Sequence, residues 1–269
     1  MTPHCPPRSL IILFAASALA GCRKLPDAPV TLDELCGYLF EHANDEPESG
    51  TLESATINLD SWLDLNIDET SAGYAVNTLT DESVNALNDG DRSLDGVRGA
   101  AVGHTSMAEA ADLVSALVSS SPVDIQPDNF ISSSRTFIGD KECFLAGECL
   151  SLEAETFSTI ELAIGIQADV NSMVQYRWVD TADFGRVAIE RTWMREPATL
   201  NVDYLTVDQQ YYVWMFIPNN EAPGSRSIQA TWMVATLGSG SPPESAVLSI
   251  VVNTMTNEAE NLDAWVLGG

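Results

Sequence analysis

Apolar positions along this chain change period near residue 125, and that change is the first guide to its fold. Leu32, Leu35, Cys36, Leu39 and Ala43 recur at helical spacing behind Thr31 and Glu34, which form a capping box. A second helix is predicted from Thr51, with Leu52, Ala55, Leu59 and Trp62 or Leu63 on one face, and a short third from Thr80 with Val84 and Leu87. Asn88 to Gly96 is polar and reads as a loop. Val97 to His104 predicts a strand. Ser106 with Glu109 then reads as a second capping box, opening a helix that carries Ala110, Leu113, Val114, Leu117 and Val118.

Beyond Pro122 and Pro127 the period becomes two. Ile160, Leu162, Ile164 and Ile166 form one row, and Val174, Tyr176 and Trp178 another. Val187, Ile189, Arg191 and Trp193 follow a turn at Asp183-Phe184-Gly185. Tyr211, Val213, Met215 and Ile217 come next, then Ile228, Ala230, Trp232 and Val234. No helical pattern separates these runs, so they predict an antiparallel sheet. Tyr211 to Ile217 is apolar at every position, which requires cover on both faces of that strand. At the end, Ser241-Pro242-Pro243-Glu244 supplies a capping box with proline in the first turn. Leu248, Val251, Val252, Met255, Ala259, Leu262 and Val266 then hold one stripe up to Gly268. A stripe of that length must be buried, and the sheet is its partner. The fold class is therefore α+β: N-terminal helices, then a curved antiparallel sheet packed on a long C-terminal helix.

The first residues belong to a different pattern. Arg8 precedes Leu10-Ile11-Ile12-Leu13-Phe14-Ala15-Ala16-Ser17-Ala18, and Leu19-Ala20-Gly21-Cys22 closes the run. The apolar part is shorter than the roughly 20 residues a membrane-spanning helix needs. Arg8, the apolar run and Leu-Ala-Gly-Cys resemble the signal peptide and lipobox of a bacterial lipoprotein. The resemblance covers residues 1–22. It implies cleavage before Cys22, lipid on the Cys22 thiol and amino group, and a membrane partner through that anchor. Arg23 and Lys24 follow, with no aspartate of the kind that retains such proteins in the inner membrane, so the family's rule implies the outer membrane, facing the periplasm or the cell exterior. The expected organisation is a signal peptide at 1–21, a lipidated cysteine and tether at 22–30, a helical region at 31–96, and the sheet with its helix at 97–269. The tether, containing Pro26 and Pro29, would reach about 25 Å if fully extended.

The order strand, helix, antiparallel meander and terminal helix over residues 97–267 resembles the helix-grip fold of START-like and Bet v 1-like domains. That resemblance rests on element order and implies a hydrophobic cavity between sheet and terminal helix, and a lipid, sterol or polyketide as ligand.

Composition narrows the partners. The chain has 12 basic and 39 acidic residues, a formal charge of −27, and removing residues 1–21 takes away Arg8 and no acid, leaving −28. A surface this acidic repels nucleic acid and anionic head groups, so neither is an expected partner; no protein partner can be named. Cys143 and Cys149 bracket Phe-Leu-Ala-Gly-Glu and are placed to form a disulfide in an oxidising compartment; no metal site or other cofactor is predicted. Cys36 lies on the apolar face of the first helix.

Catalytic constellations are sparse. His42 reads as a cation at a helix end. His104 stands beside Thr105 and Ser106, without a GxSxG elbow or an acid partner identifiable from sequence. Asp89, Asp91, Ser93 and Asp95 place oxygens at alternate positions, but Leu94 and Ala100 occupy the positions where an EF-hand has glycine and glutamate. No catalytic residue is assigned, and the chain is not expected to be an enzyme. The remaining candidates are strand aromatics: Tyr176, Trp178, Trp193, Trp214 and Trp232, with Arg191 sharing a face with Trp193. Two readings stand. Either these rings fill the core, or they wall a pocket for an apolar ligand, with Arg191 meeting its carboxylate. An inward arginine also has the alternatives of reaching the rim or pairing with a protein acid. The functional expectation is an envelope lipoprotein that binds or shuttles a lipid-like molecule; the alternative is a non-catalytic structural or interaction module that works through its N-terminal helices.

Overall fold

The computed structural model describes residues 24–87, 92–163, 165–238 and 244–268. The lipobox, the acidic positions Asp89 and Asp91, and the Ser241-Pro242-Pro243 part of the last capping box lie outside these residues.

Helix α1 (Leu32–His42) begins where expected: Thr31 is its N-cap and its hydroxyl donates to Glu34 Oε2 at 2.8 Å. After a 3-10 turn at Pro47–Ser49 comes α2 (Thr51–Ser71), then β1 (Tyr74–Val76) and α3 (Asp81–Asn85). The Asp33 carboxylate accepts from the backbone N–H groups of Asn77 (2.6 Å) and Thr78 (3.0 Å), fastening α1 to the segment that leaves β1. Strand β2 (Arg98–Ser106) leads to α4 (Ala110–Ser119), the short α5 (Pro122–Ile125), β3 (Phe130–Ile138) and the short α6 (Lys141–Leu145). The meander follows: β4 (Ser151–Ala163), β5 (Ile166–Thr181), β6 (Gly185–Met194), the two-residue β7 (Thr199–Leu200), β8 (Leu205–Pro218) and β9 (Ser225–Leu237). Helix α7 (Glu244–Gly268) ends the described chain.

All strand pairings are antiparallel, in the spatial order β1-β2-β9-β8-β6-β5-β4-β3, with β7 on β5. Register shifts at Phe130/Ser132, Glu161/Ala163 and Val207/Gln209 are bulges of the kind that bend a sheet. The long step from β2 to β3 runs through α4 and α5, so β2 ends up beside the last strand of the meander.

Helices cover the sheet from both sides. On one side, here the grip face, α7 lies across β2 and against α4 and α5. Its stripe is the one read from sequence: Met255, Ala259 and Leu262 are buried, and Leu248, Val251, Val252 and Val266 pack around them. On the other side, the outer face, α1 and α2 bury Leu32, Leu35, Leu39, Phe40, Leu59 and Leu63 against the sheet. Strand β8 sits between β9 and β6 with both faces enclosed: Tyr211, Val213, Met215 and Ile217 turn outward to α1 and α2, while Trp214 and Phe216 turn into the grip. This two-sided burial is what its unbroken apolar run demanded. Gly99 allows the layers to close, since a Cβ there would lie 2.4 Å from the Val76 carbonyl oxygen and 2.6 Å from the Trp232 ring.

Four local expectations need correction. The row Ile160 to Ile166 is not one strand: β4 ends at Ala163, and the chain turns at Gly165 (φ +79°) into β5, which starts at Ile166. Ser106 does not cap α4, whose N-cap is Glu109; it ends β2, and its Oγ accepts from Ala108 N at 2.8 Å. The short strand β1 and the edge strand β3 were not foreseen. Finally, residues 26–29 are not a free tether. The Ser54 hydroxyl donates to Pro26 O (2.6 Å), and Asn58 Nδ2 donates to Ala28 O (2.9 Å) and Pro29 O (2.8 Å), laying the segment along α2.

Cys143 and Cys149 are disulfide-bonded across the turn after α6. Within that loop Phe144 is fully buried, stacks on Trp178 with ring centroids 5.3 Å apart, and accepts the Trp178 Nε1–H at its carbonyl oxygen (3.0 Å). The loop spans only six positions, so chain-entropy reasoning gives the bond about 2 kcal/mol. Reduction, or Cys143→Ser with Cys149→Ser, is expected to lower stability by that amount in urea unfolding and to change the near-ultraviolet signal of Trp178. An unchanged midpoint would mean that Phe144 alone holds the loop.

Candidate functional site

The candidate aromatics do not come together, because strand register divides them between the two faces. Tyr176 pairs with Leu152 and Glu190, Trp178 with Ala188, and Trp214 with Glu190 and Gln229, all on the grip face. Arg191, Trp193 and Trp232 belong to the outer face beneath α1 and α2. Within the grip, Tyr176, Trp178 and Trp214 are at most 4 % exposed, so their rings are closed into the core.

Arg191 meets protein where a ligand carboxylate was considered. Its Nε and Nη2 donate to Gln175 Oε1, at 3.1 and 2.5 Å, and Nη1 donates to the Phe40 carbonyl oxygen at 3.0 Å. Its guanidinium also lies over the rings of Phe40 and Trp193. Burial lowers its pKa to about 10, against the opposing pull of Glu153 and Asp45, so it is a cation at neutral pH. Arg191 fastens the end of α1 to the sheet.

His104 has acquired an acid neighbour that the sequence did not reveal: Asp263 on α7, with Oδ2 3.9 Å from His104 Nε2. The Ser106 hydroxyl donates to that same carboxylate and not to the imidazole. His104 Nε2 is buried without a hydrogen-bond partner among the described residues, and burial lowers the imidazole pKa despite Asp263 and Glu260. Serine and histidine are therefore not arranged as nucleophile and base, and the cluster ties the end of β2 to α7. His42 Nδ1 lies 2.9 Å from Asp45 Oδ2, at the end of α1. Among the described residues no three His, Cys, Asp or Glu side chains are grouped to hold a metal. Of the acidic run, Ser93 and Asp95 are described, and Ser93 Oγ accepts from Asp95 N at 3.2 Å.

A different set of residues converges on the grip face. Glu190 lies mid-strand on β6, a central strand, under the helical layer, where an apolar side chain would ordinarily stand. Thr192 donates its hydroxyl to Glu190 Oε1 (3.2 Å); across on β8, Trp214 is the register partner of Glu190 and Tyr212 that of Thr192. From α7, Glu258 reaches in: its Oε2 lies 3.4 Å from the Tyr212 hydroxyl, and its Oε1 accepts from Gln126 Nε2 at 3.1 Å. Arg135 on β3 donates to Leu117 O and lies over the Tyr176 ring. Protein surrounds Glu190 and Glu258 closely enough to desolvate both, yet both remain half-buried and not closed off, as do Thr192, Ser172 and Arg135. These half-buried polar side chains gather on the grip face, beneath α4 and α7.

Burial, and then repulsion by Glu258, raises the Glu190 pKa to about 7, with Arg135 and the Thr192 hydrogen bond opposing. Burial raises Glu258 as well. Burial and these two carboxylates together hold the Tyr212 phenol well above its usual range. A folded-state carboxyl pKa above the unfolded value means that folding takes up a proton between the two. The stabilising contribution is complete below the unfolded value near 4.5 and is lost as pH rises through about 7. Urea midpoints are therefore expected to fall between pH 5 and 8, and Glu190→Gln should flatten that part of the profile. An unchanged slope in the variant would place the titration on other acids.

Sequence reading passed over Glu190 and Glu258 because each is a single acid in an acidic chain. The usable signal was positional: Glu190 is a carboxylate at an inward position of a strand whose other inward residues include Ala188 and Met194.

The architecture is an α+β helix grip: a curved antiparallel sheet around a long C-terminal helix, with an added helical layer outside. No protein-family model matches the sequence, and no curated protein matches it. Solved structures with which it aligns include Ara h 8.0201 (12 % identity, TM-score 0.39, covering 65 % of this chain and all of that one) and a STAR-related lipid transfer protein from Xanthomonas axonopodis (15 %, TM-score 0.40, covering 65 % and 96 %). A START superfamily protein from Mycobacterium smegmatis aligns at 11 % identity and TM-score 0.35, covering 64 % of this chain and 97 % of that one. The resemblance is weak, and the fold description rests on the strand order and helix packing given above.

Proposed function

We propose that this protein binds a lipid-like small molecule in a hollow between its sheet and α7, and that it does so while held to the outer membrane of a bacterial envelope by lipid on Cys22. The supporting observation is the set of deep, half-buried polar side chains, Glu190, Thr192 and Glu258, gathered on the grip face beneath α7. A solid core has no reason to strand two carboxyls there. A hollow with a polar floor and apolar surroundings suits an amphiphile whose chain lies along α4 and α7. The aromatic rings serve as the frame of this hollow and not as its lining.

The anchor follows from the Leu-Ala-Gly-Cys motif. With residues 26–29 fastened to α2, only residues 22–25 separate the lipid from the folded domain, a span of about 13 Å when extended. The α2 side of the molecule would then stand near the membrane, within reach of ligand exchange with it.

Two experiments test the two parts. The chain from Lys24 onward, purified without detergent, is expected to carry a stoichiometric organic-soluble adduct by native mass spectrometry, or to take one up from a lipid mixture. A protein bare under both conditions would overturn the binding reading. Full-length protein in a Gram-negative host should incorporate labelled fatty acid and fractionate with outer membranes, and Cys22→Ala should abolish both. Unlabelled full-length protein would remove the anchor.

A further inference from the structure

We infer that the solvent face of α7 is a self-association surface, on which a second copy of this chain docks with its own α7 antiparallel. The proposal is independent of the ligand and of the anchor. Helix α7 turns two of its acids inward, Glu258 toward Tyr212 and Gln126, and Asp263 toward Ser106. What remains outside is close to neutral: among the exposed described residues from Ser249 to Gly268, Glu260 alone carries a charge. The whole chain has 39 acidic residues and a formal charge of −27. A surface helix ordinarily shows charges to water, and in so acidic a protein a face this long with one charge needs another explanation. Large apolar side chains lie along it, Ile250 and Trp265 at 44 % exposed and Leu267 at 55 %. Between them Asn253, Asn257 and Asn261 form a row at i, i+4 spacing. Thr254 donates its hydroxyl back to the Ile250 carbonyl oxygen at 2.9 Å and needs no outside acceptor. Asn257 lies at the middle of the exposed arc, Ile250 at one end of the stripe, and Trp265 and Leu267 flank the other end.

This stripe is its own complement under a two-fold axis through Asn257. Antiparallel pairing about that axis sets Asn257 against its counterpart, and Asn253 against Asn261 of the second copy. Ile250 then meets Ala264, with Trp265 and Leu267 closing that end with apolar surface. Glu260 falls opposite Thr254, and the two Glu260 carboxylates stand about 9 Å apart along the axis, so like charges do not meet. Amides at the centre can bond to one another, and the apolar ends bury themselves. Few charges and a tryptophan are also what the buried parts of protein interfaces favour. The stripe from Ile250 to Leu267 is about 26 Å long, and a helix is about 10 Å wide with its side chains. A contact of that extent lies at the low end of interface sizes, so a dissociation constant of about 1–100 µM is expected. A lipid surface fits the face less well. A helix made to lie in head groups carries Lys and Arg beside its apolar side chains, and α7 has neither from Glu244 to Gly268.

Sedimentation velocity on the chain from Lys24 onward, which holds every described residue, should show a monomer–dimer equilibrium between about 1 and 200 µM. Repulsion between two acidic copies opposes association, so raising sodium chloride from about 50 to 500 mM should strengthen the dimer several-fold. Asn257→Lys brings two ammonium groups together at the axis and should weaken the dimer about tenfold or more. The position is exposed, and an unchanged circular dichroism spectrum and urea midpoint check that the variant is folded. Register is tested by cysteine pairs. Asn257→Cys should give a disulfide-linked dimer on mild oxidation, whereas Asn253→Cys, about 12 Å from its counterpart along the axis, should not. Cys36 is buried and Cys143 is bonded to Cys149, so the native thiols do not compete. A chain that stays monomeric at about 200 µM in high salt, or a dimer indifferent to Asn257→Lys, would overturn the proposal. So would Asn253→Cys linking as readily as Asn257→Cys. A monomer that instead floats with phosphatidylcholine vesicles, and ceases to in Trp265→Glu, would give this face to a lipid surface and overturn it as well.

Discussion

Arg191→Ala is expected to destabilise the protein by about 3 kcal/mol or more, a large share of the roughly 5–15 kcal/mol that holds a domain together. Two costs add. The truncation opens a cavity beneath α1, where Arg191 is 5 % exposed between Phe40 and Trp193. It also leaves the Phe40 carbonyl and the Gln175 amide oxygen without the donors that reach them from Arg191. Arg191→Met separates the two costs, because it keeps most of the volume while removing the bonds; about 1–2 kcal/mol is expected. Urea unfolding of both variants gives the values. A loss below about 1 kcal/mol for the alanine variant would mean that α1 is held by its apolar face alone. The methionine variant, if folded, should leave the proposed ligand binding on the grip face unchanged, since Arg191 lies on the opposite face of the sheet.

The contrast between Arg191 and Glu190 shows what the sequence could and could not disclose. Within a strand, alternation assigned Ile189, Arg191 and Trp193 to one face and set Glu190 on the other. Which face looks into the grip is decided by pairing with β5 and β8, and no local pattern encodes that register. The aromatics were therefore visible as a group, and their division was not. The C-terminal helix was legible because its stripe repeats through seven positions and needs only a partner surface. Strand β3 was not: Phe-Ile-Ser-Ser-Ser-Arg-Thr-Phe-Ile is an edge strand, much of whose length is exposed, so burial imposes little alternation on it. The capping motif at Ser106 failed for another reason. Serine three residues before glutamate also suits the end of a strand that turns sharply, and here a carboxylate from a helix 157 positions away completes the arrangement.

The N-terminal helices were read as a region that could carry an interaction surface of its own, and their packing predicts a different result. A chain beginning at Val97, without α1, α2 and α3, is expected to be insoluble, or to bind a hydrophobic dye and unfold without a cooperative transition. The outer sheet face it would uncover includes Trp232, Tyr211, Val213, Met215, Ile217 and Ile228, all at most 1 % exposed in the intact protein. Each such side chain forfeits about 1.5–3 kcal/mol when returned to water. Four or five of them already match the whole stability of an ordinary domain. Further ties would go as well: Arg226 on β9 pairs with Asp60 and Asp64 on α2, and Arg191 would face water in place of Phe40. The opposite layer offers no substitute, because α4 and α7 already cover the grip face. Should the shortened chain instead purify as a monomer with a sharp unfolding transition, the helices would be a detachable module and an interaction role for them would regain its footing. Aggregation relieved by co-expressing residues 24–96 would show that the two parts form one core.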